Sequence, residues 1–180
     1  RGKVVGGSST INALAYQRGH PAAYDLWPEG WRAADLLPYF RRAETFSGGA
    51  SAWRGGNGPL HVLSLADVTD RTPVASAFVK ASQDLGFSMT SDIGGEVTTG
   101  VGWNQLSVKS GVSDDAATAY LGSLENVAVD LLVNTEVLGL AIEGGRCIGL
   151  RLFERIVRAD GELLLCAGAI DSPRLLMLSG

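Results

Sequence analysis

Glu162-Leu163-Leu164-Leu165-Cys166-Ala167-Gly168-Ala169-Ile170-Asp171-Ser172-Pro173-Arg174-Leu175-Leu176-Met177-Leu178-Ser179-Gly180 closes the chain. Residues 162–166 form an apolar run of strand length, suited to an interior parallel strand. Gly168-Ala169 then turns the chain into a helix near Ser172, with Pro173 in its first turn and Leu175, Leu176 and Leu178 facing inward. Strand, tight turn and helix in succession predict α/β layering. Just upstream, residues 137–143 and 147–153 read as two strands around Gly144-Gly145-Arg146, a strong hairpin signal. Val127-Ala128-Val129 and Leu131-Leu132-Val133 predict a further buried strand.

The first two thirds differ in texture. Residues 33–45 predict a helix with an apolar stripe of Leu36, Leu37 and Phe40, with Asp35 early and Arg41-Arg42 late. Residues 74–85 predict a second, with Val74, Ala77, Phe78, Ala81 and Leu85 as its apolar face and Gly86 as its stop. Shorter helices are expected at 21–27 and 116–121, and a turn plus strand at 98–110. Residues 47–59 are glycine-rich and read as a mobile loop or lid. No internal repeat appears.

Composition excludes several classes. The 180 residues are 46% hydrophobic and 19% charged with a net charge of -4, enough apolar content for a core and too little charge for disorder. A pI near 5.1 argues against nucleic acid as a partner. Cys147 and Cys166 lack metal-ligand spacing, so neither a zinc site nor a disulfide framework is expected. The most apolar long stretch, 127–142, contains Asp130, Asn134 and Glu136 and predicts no membrane span. No signal peptide is visible, and the cytoplasm is the expected compartment. The 24 glycines are about twice the usual ~7% share and come in pairs at 6–7, 48–49, 55–56, 94–95 and 144–145. Such pairs mark tight turns or close approach of the main chain to something flat. The chain opens on Arg1-Gly2-Lys3 and stops straight after a helical run, so a segment of a longer protein is expected.

Gly2-Lys3-Val4-Val5-Gly6-Gly7-Ser8-Ser9-Thr10-Ile11-Asn12 carries the chemistry. Adjacent glycines let the backbone approach a ligand, and a helix start, with Ser8 or Ser9 as its N-cap, presents unpaired N–H groups to a ring or phosphate. Asn12 both donates and accepts. The same residues also suit a plain helix-capping turn, and residues alone leave the two readings open.

As a pattern, that segment with Tyr16, Gly19 and Asp25 resembles the first signature of the glucose-methanol-choline (GMC) oxidoreductases. Gly168-Ala169, Ser172-Pro173, Leu175-Leu176 and Ser179-Gly180 resemble the second. Between them, Arg18-Gly19-His20-Pro21, Leu37-Pro38-Tyr39-Phe40, Arg41-Arg42-Ala43-Glu44 and Gly58-Pro59-Leu60 follow in the family's order. The resemblance implies part of a Rossmann-like FAD-binding domain of mixed α/β class, incomplete as a fold, with an inserted substrate-side segment. It implies oxidation of a small-molecule alcohol to a carbonyl with hydride transfer to the flavin, the electron acceptor being left open. It places Gly6, Gly7, Ser8 and Ser9 along the flavin, and Asn12, Ala13, Leu14 and Ala15 against the isoalloxazine. Val137 falls at the adenine end, and Ala167 and Gly168 near the ADP portion. The expected organisation is 1–46 as the flavin-contacting segment with helices, 47–122 as lid and substrate side, and 123–180 as strands, hairpin and second signature.

Departures qualify the resemblance. Ile11 stands where some members attach flavin through a histidine, which predicts noncovalent FAD. The stretch 111–117 carries Ser113, Asp114 and Asp115 where arginines and a serine are usual. Neither a Gly-x-Gly-x-x-Gly fingerprint nor the family's catalytic histidine falls within the 180 residues, so no catalytic residue is assigned here. His20 and His61 are expected to be structural, Asp114-Asp115 to serve a helix N-terminus, and Trp27, Trp31, Trp53 and Trp103 to pack in core or lid. Turnover and cooperative folding of the segment by itself are expected to be weak. A hydroxynitrile lyase of the same superfamily and a non-catalytic remnant are the competing expectations.

Overall fold

The computed structural model describes residues 2–122 and 129–180. The chain divides into two compact units, Arg1–Val129 and Asp130–Gly180. The class is mixed α/β, as the sequence predicts.

The first unit opens with a 3-10 turn at Gly7–Thr10. The short helix α1, Pro21–Tyr24, and then α2, Ala33–Ala43, lead into strand β1, Glu44–Phe46. His20 Nδ1 accepts from Ala22 N at 3.2 Å and caps α1. Asp25 Oδ1 accepts from Ala33 N, and Asp35 Oδ2 from Arg32 N, so two carboxylates serve the start of α2. β2, Leu60–Ser64, runs parallel to β1 and antiparallel to β3, Gln105–Lys109, which turns back into β4, Val112–Ser113. Between β2 and β3 lies α3, Pro73–Asp84. Thr72 caps it through its hydroxyl, and Gly86 ends it at φ +90°.

Four expectations for this unit change. Neither Ser8 nor Ser9 is an N-cap: Gly6 holds that position in a left-handed conformation. Ser9 Oγ instead donates to Gly6 O at 2.6 Å and accepts from Ala116 N at 3.0 Å. The predicted apolar face of α3 is exposed at Val74 (81%), Phe78 (68%) and Leu85 (79%), while Val79 on another face is buried. Periodicity identifies a stripe but not which neighbour is present to cover it. Trp27 and Trp31 are about half exposed rather than enclosed in a core. The loop at 47–59 is not loose throughout: 47–52 are exposed, but part of 54–58 packs closely. Arg54, Gly55 and Gly58 are buried, and a Cβ on Gly55 would stand 1.8 Å from Arg41 O. These glycines allow close packing of backbone on backbone.

The second unit is a three-stranded antiparallel sheet, β5 (Gly139–Glu143), β6 (Arg146–Arg151) and β7 (Ile156–Arg158), packed with α4 (Gly168–Met177). The predicted hairpin forms, with Gly144 (φ +57°) and Gly145 (φ +76°) as a two-residue turn and Arg146 as the first residue of β6. Ser179 Oγ accepts from Leu140 N at 2.7 Å and donates to Leu175 O at 2.5 Å, tying the end of α4 to β5. Leu140, Ala141 and Leu175 are buried.

Two predicted strands are not formed. Val129, Leu131, Leu132 and Val133 carry no strand and are all about half exposed; Val127 and Ala128 lie outside the described residues. Residues 162–166 are likewise irregular, with Leu164 81% exposed. A parallel strand requires partners for its backbone groups, and among the described residues none pairs with either run. α4 begins at Gly168, so Pro173 lies inside it rather than in its first turn, and Leu176 and Leu178 are half exposed.

Candidate functional site

The segment Gly6–Ala15 forms one continuous surface of the first unit. Gly7 has φ +59°, and nothing stands within 4 Å of a Cβ built on it, so the backbone is bare on that side. Val4, Val5 and Ile11 expose 49%, 37% and 60% of their surface beside it. Asn12 Oδ1 accepts from Leu14 N at 2.8 Å. Its acceptor thus closes a local turn, and the amide NH2 is the group left for a ligand. Leu14 adopts φ +63°, a conformation that costs a side-chain-bearing residue about 1–2 kcal/mol. It is held there by β3: Ser107 N donates to Leu14 O at 2.9 Å, Ala15 bridges to Leu106, and Tyr16 N donates to Gln105 O at 2.8 Å. The surface is therefore pinned to the sheet edge.

Beneath that edge lies a cluster of buried charge. Glu44, Arg54 and Gln105 are 0%, 1% and 1% exposed. Arg54 grips Glu44 with two bonds, Nε to Oε1 at 2.8 Å and Nη2 to Oε2 at 3.1 Å. Its Nη1 donates to Gln105 Oε1 at 2.8 Å and to Asp92 Oδ1 at 3.1 Å. The guanidinium carbon lies 3.8 Å from the Phe46 ring centroid. Gln105 Nε2 and Gly94 N also donate to Asp92 Oδ1, and Gly55 N to Glu44 Oε1. A Cβ on Gly94 would meet Arg54 Nη1 at 2.2 Å, which gives that glycine its purpose. Arg18 Nη2 adds a second cation 2.5 Å from Glu44 Oε1. Burial, reinforced by the Glu44 charge, raises the Tyr16 phenol above its ordinary value of 10.0.

The two acids at 114–115 divide their work. Asp115 Oδ1 accepts from Thr118 N, the helix-serving role expected of it. Asp114 is 2% exposed and instead takes His61 N at 2.6 Å and contacts His61 Nδ1 at 3.0 Å. His20 and His61 are both engaged in structural bonds, as expected.

Gly6, Gly7, Ser8, Ser9, Asn12, Ala13, Leu14 and Ala15 thus come together on the first unit. Val137, Ala167 and Gly168 belong to the second. Val137 is half-buried just before β5, and Gly168, at φ +89°, opens α4 behind Ala167, whose N–H donates to Ser172 Oγ at 3.0 Å. Sequence reasoning missed Glu44, Arg54, Asp92 and Gln105. The available signal was a lone arginine beside a glycine pair, in a segment too tight to be a loose loop. No group of three or more potential metal ligands occurs among the described residues.

Mixed α/β units that present a glycine-led, sheet-pinned loop define the class of fold, and comparison identifies its family. A GMC oxidoreductase family model matches residues 1–180, and the chain belongs to that family. The oxygen-dependent choline dehydrogenases of Brucella anthropi and Rhizobium rhizogenes are each 42% identical over the whole chain. The chain spans 34% of those relatives, about a third of their length. Pyridoxine 4-oxidase from Mesorbium loti superimposes with a TM-score of 0.90 at 33% identity, covering all of this chain and 37% of that one. An FAD-dependent oxidoreductase from Chaetomium thermophilum superimposes at 0.85 with 27% identity, over 98% of this chain and 34% of its own.

Proposed function

We propose that this chain supplies the flavin-facing wall of an FAD-dependent oxidoreductase that converts an alcohol CH–OH to a carbonyl. The observation that carries the reading is the surface at Gly6–Ala15: bare backbone at Gly7, exposed apolar side chains, and a left-handed Leu14 fixed to β3. These residues fit a flat, partly apolar group. Gly7, Ser8 and Ser9 offer close approach, Asn12 offers its amide N–H groups, and Ala13, Leu14 and Ala15 present small or apolar surface to a ring. Gly6 admits the turn, since a Cβ there would meet Thr10 Oγ1 at 2.5 Å. Val137, Ala167 and Gly168 serve the adenine and ADP portion. FAD, when bound, supplies the hydride-accepting chemistry; this chain's residues bind, orient and exclude water.

Ile11 has no nucleophilic atom, so this wall holds FAD noncovalently. Residues 1–46 make the flavin side with its helices, 47–122 the substrate side, and 123–180 the adenine side. Choline is the first alcohol to test, because relatives 42% identical carry that activity in their names. The intact protein, purified with FAD, is precipitated with acid: flavin is expected in the supernatant. Anaerobic addition of choline or another primary alcohol is expected to bleach the flavin near 450 nm, on the order of one equivalent per site. Flavin that stays with the pellet overturns noncovalent binding, and a preparation that retains no FAD overturns the reading itself.

A further inference from the structure

The first unit also contains a cavity of about 320 Å³ that none of residues 6–15 lines. Arg18, Pro21, Tyr24, Leu37, Phe40 and Trp53 form most of its wall, which is largely apolar. Its size suits one ring with a short substituent. The aromatic side is fixed: the Tyr24 ring meets Trp27 edge-on at 5.4 Å and Phe40 at 5.7 Å, and the Tyr24 hydroxyl donates to Arg18 O. The wall carries one cation and one anion, Arg18 and Asp25; Arg18 is held by Glu44, and Asp25 Oδ1 accepts from Ala33 N. With no net charge on the lining, neither a cation nor an anion is favoured there. The Arg18 side chain is 7% exposed and its Nη1 donates to Trp53 O, but its Nε is buried without a hydrogen-bond acceptor among the described residues. A buried donor left unmatched is costly, and an acceptor brought by a ligand relieves that cost.

We propose that this cavity is a binding site for a small, neutral aromatic molecule bearing one carbonyl or hydroxyl oxygen, its ring among Tyr24, Phe40 and Trp53 and its oxygen toward Arg18. The site is separate from the flavin wall, so the inference does not depend on the functional reading above.

Acetophenone is the probe, since it carries the ring and the oxygen but no oxidisable CH–OH. It is titrated into the intact protein while tryptophan fluorescence and flavin absorbance are followed together. The expected result is a saturable fluorescence change that disappears in Trp53→Phe, with the flavin spectrum unmoved. Ala34, exposed on α2 at the cavity rim, is enlarged to tryptophan, and affinity is expected to fall about tenfold. Thr98→Trp repeats the obstruction from another part of the lining, should Ala34→Trp fail to fold. Toluene, with no acceptor, is expected to bind about fivefold more weakly. No saturable change, or unchanged affinity in the obstructed variant, overturns the site. Toluene binding as tightly as acetophenone overturns the role of the oxygen. A perturbed flavin spectrum places the probe at the flavin instead and overturns the proposal.

Discussion

The two units organise their interiors in opposite ways. In the first, the largest fully buried side chains are Arg54, Gln105 and Glu44, and the apolar core around them is modest: Phe46, Val62, Val79, Val101 and Ala119. In the second, the buried side chains are Leu140, Ala141 and Leu175 with a single carboxylate, Asp171, which pairs with the half-exposed Arg174, and the turn is built from two glycines. Hydrophobic burial is non-directional and tolerates adjustment, whereas a buried ion cluster is satisfied only in one arrangement. The difference teaches where precision is placed. The ionic cluster lies directly behind the Gln105–Ser107 edge that pins Leu14 and Ala15, so the unit that carries the candidate wall is also the one with the more specific interior.

The sharpest way to break that comparison is Glu44→Ala. It leaves two guanidinium groups, Arg18 and Arg54, facing a hole, and removing one partner of a buried pair costs about 3–5 kcal/mol. Urea denaturation of the intact protein is expected to show that loss, with hydrogen exchange accelerated first at β1 and β3. A loss below about 1 kcal/mol, the scale of an exposed pair, would mean the cluster does not hold the unit. In the second unit, Leu175→Ala is the corresponding probe. Leu175 is 4% exposed, and its truncation is expected to cost about 2–5 kcal/mol, with protection lost along β5 and α4. Should Leu175→Ala instead exceed Glu44→Ala, the ranking of the two interiors is reversed.

How much of this was legible depends on whether the deciding partner was near in sequence. The hairpin at Gly144-Gly145, α2 and the glycine stop of α3 rest on local chemistry, and all were readable. So was the α/β class, and so was the family, through the two long signatures. The runs at 129–133 and 162–166 read as strands because apolar content was visible, whereas the lack of a paired edge among the described residues was not. The Arg54 cluster joins positions 18, 44, 54, 92 and 105, a grouping that no spacing rule reveals. Gly94, without assignment in the sequence, is explained only once the Arg54 guanidinium is found against it.

Both units also use left-handed backbone, and they do so differently. The hairpin places only glycines there, whereas the wall follows Gly6 and Gly7 with a residue that bears a side chain, Leu14. Gly145→Val is expected to lose about 1–2 kcal/mol, since a side chain at φ +76° is strained. Leu14→Gly removes the same strain but adds freedom to the unfolded chain worth about 0.5–1 kcal/mol, so the melting temperature is expected to change little or rise slightly. A large destabilisation would show that the Leu14 side chain, rather than its backbone, is what the wall requires.

The smallest expected effect separates the units by pH. The Tyr16 phenol is raised above 10.0 by burial and by Glu44. A group that holds its proton more tightly when folded contributes stability that is complete below the unfolded pKa near 10. As pH climbs past 10, the unfolded chain releases that proton first, and stability declines until the folded phenol ionises as well. The first unit should therefore weaken between pH 10 and the raised value, read as faster unfolding of β1 and β3 in stopped-flow pH jumps. Tyr16→Phe keeps the ring and removes the titrating group, so the Tyr16-dependent part of that slope should vanish while stability at pH 8 changes by less than about 1 kcal/mol. An identical alkaline slope in wild type and Tyr16→Phe would assign the effect to other groups and detach Tyr16 from the Glu44 cluster.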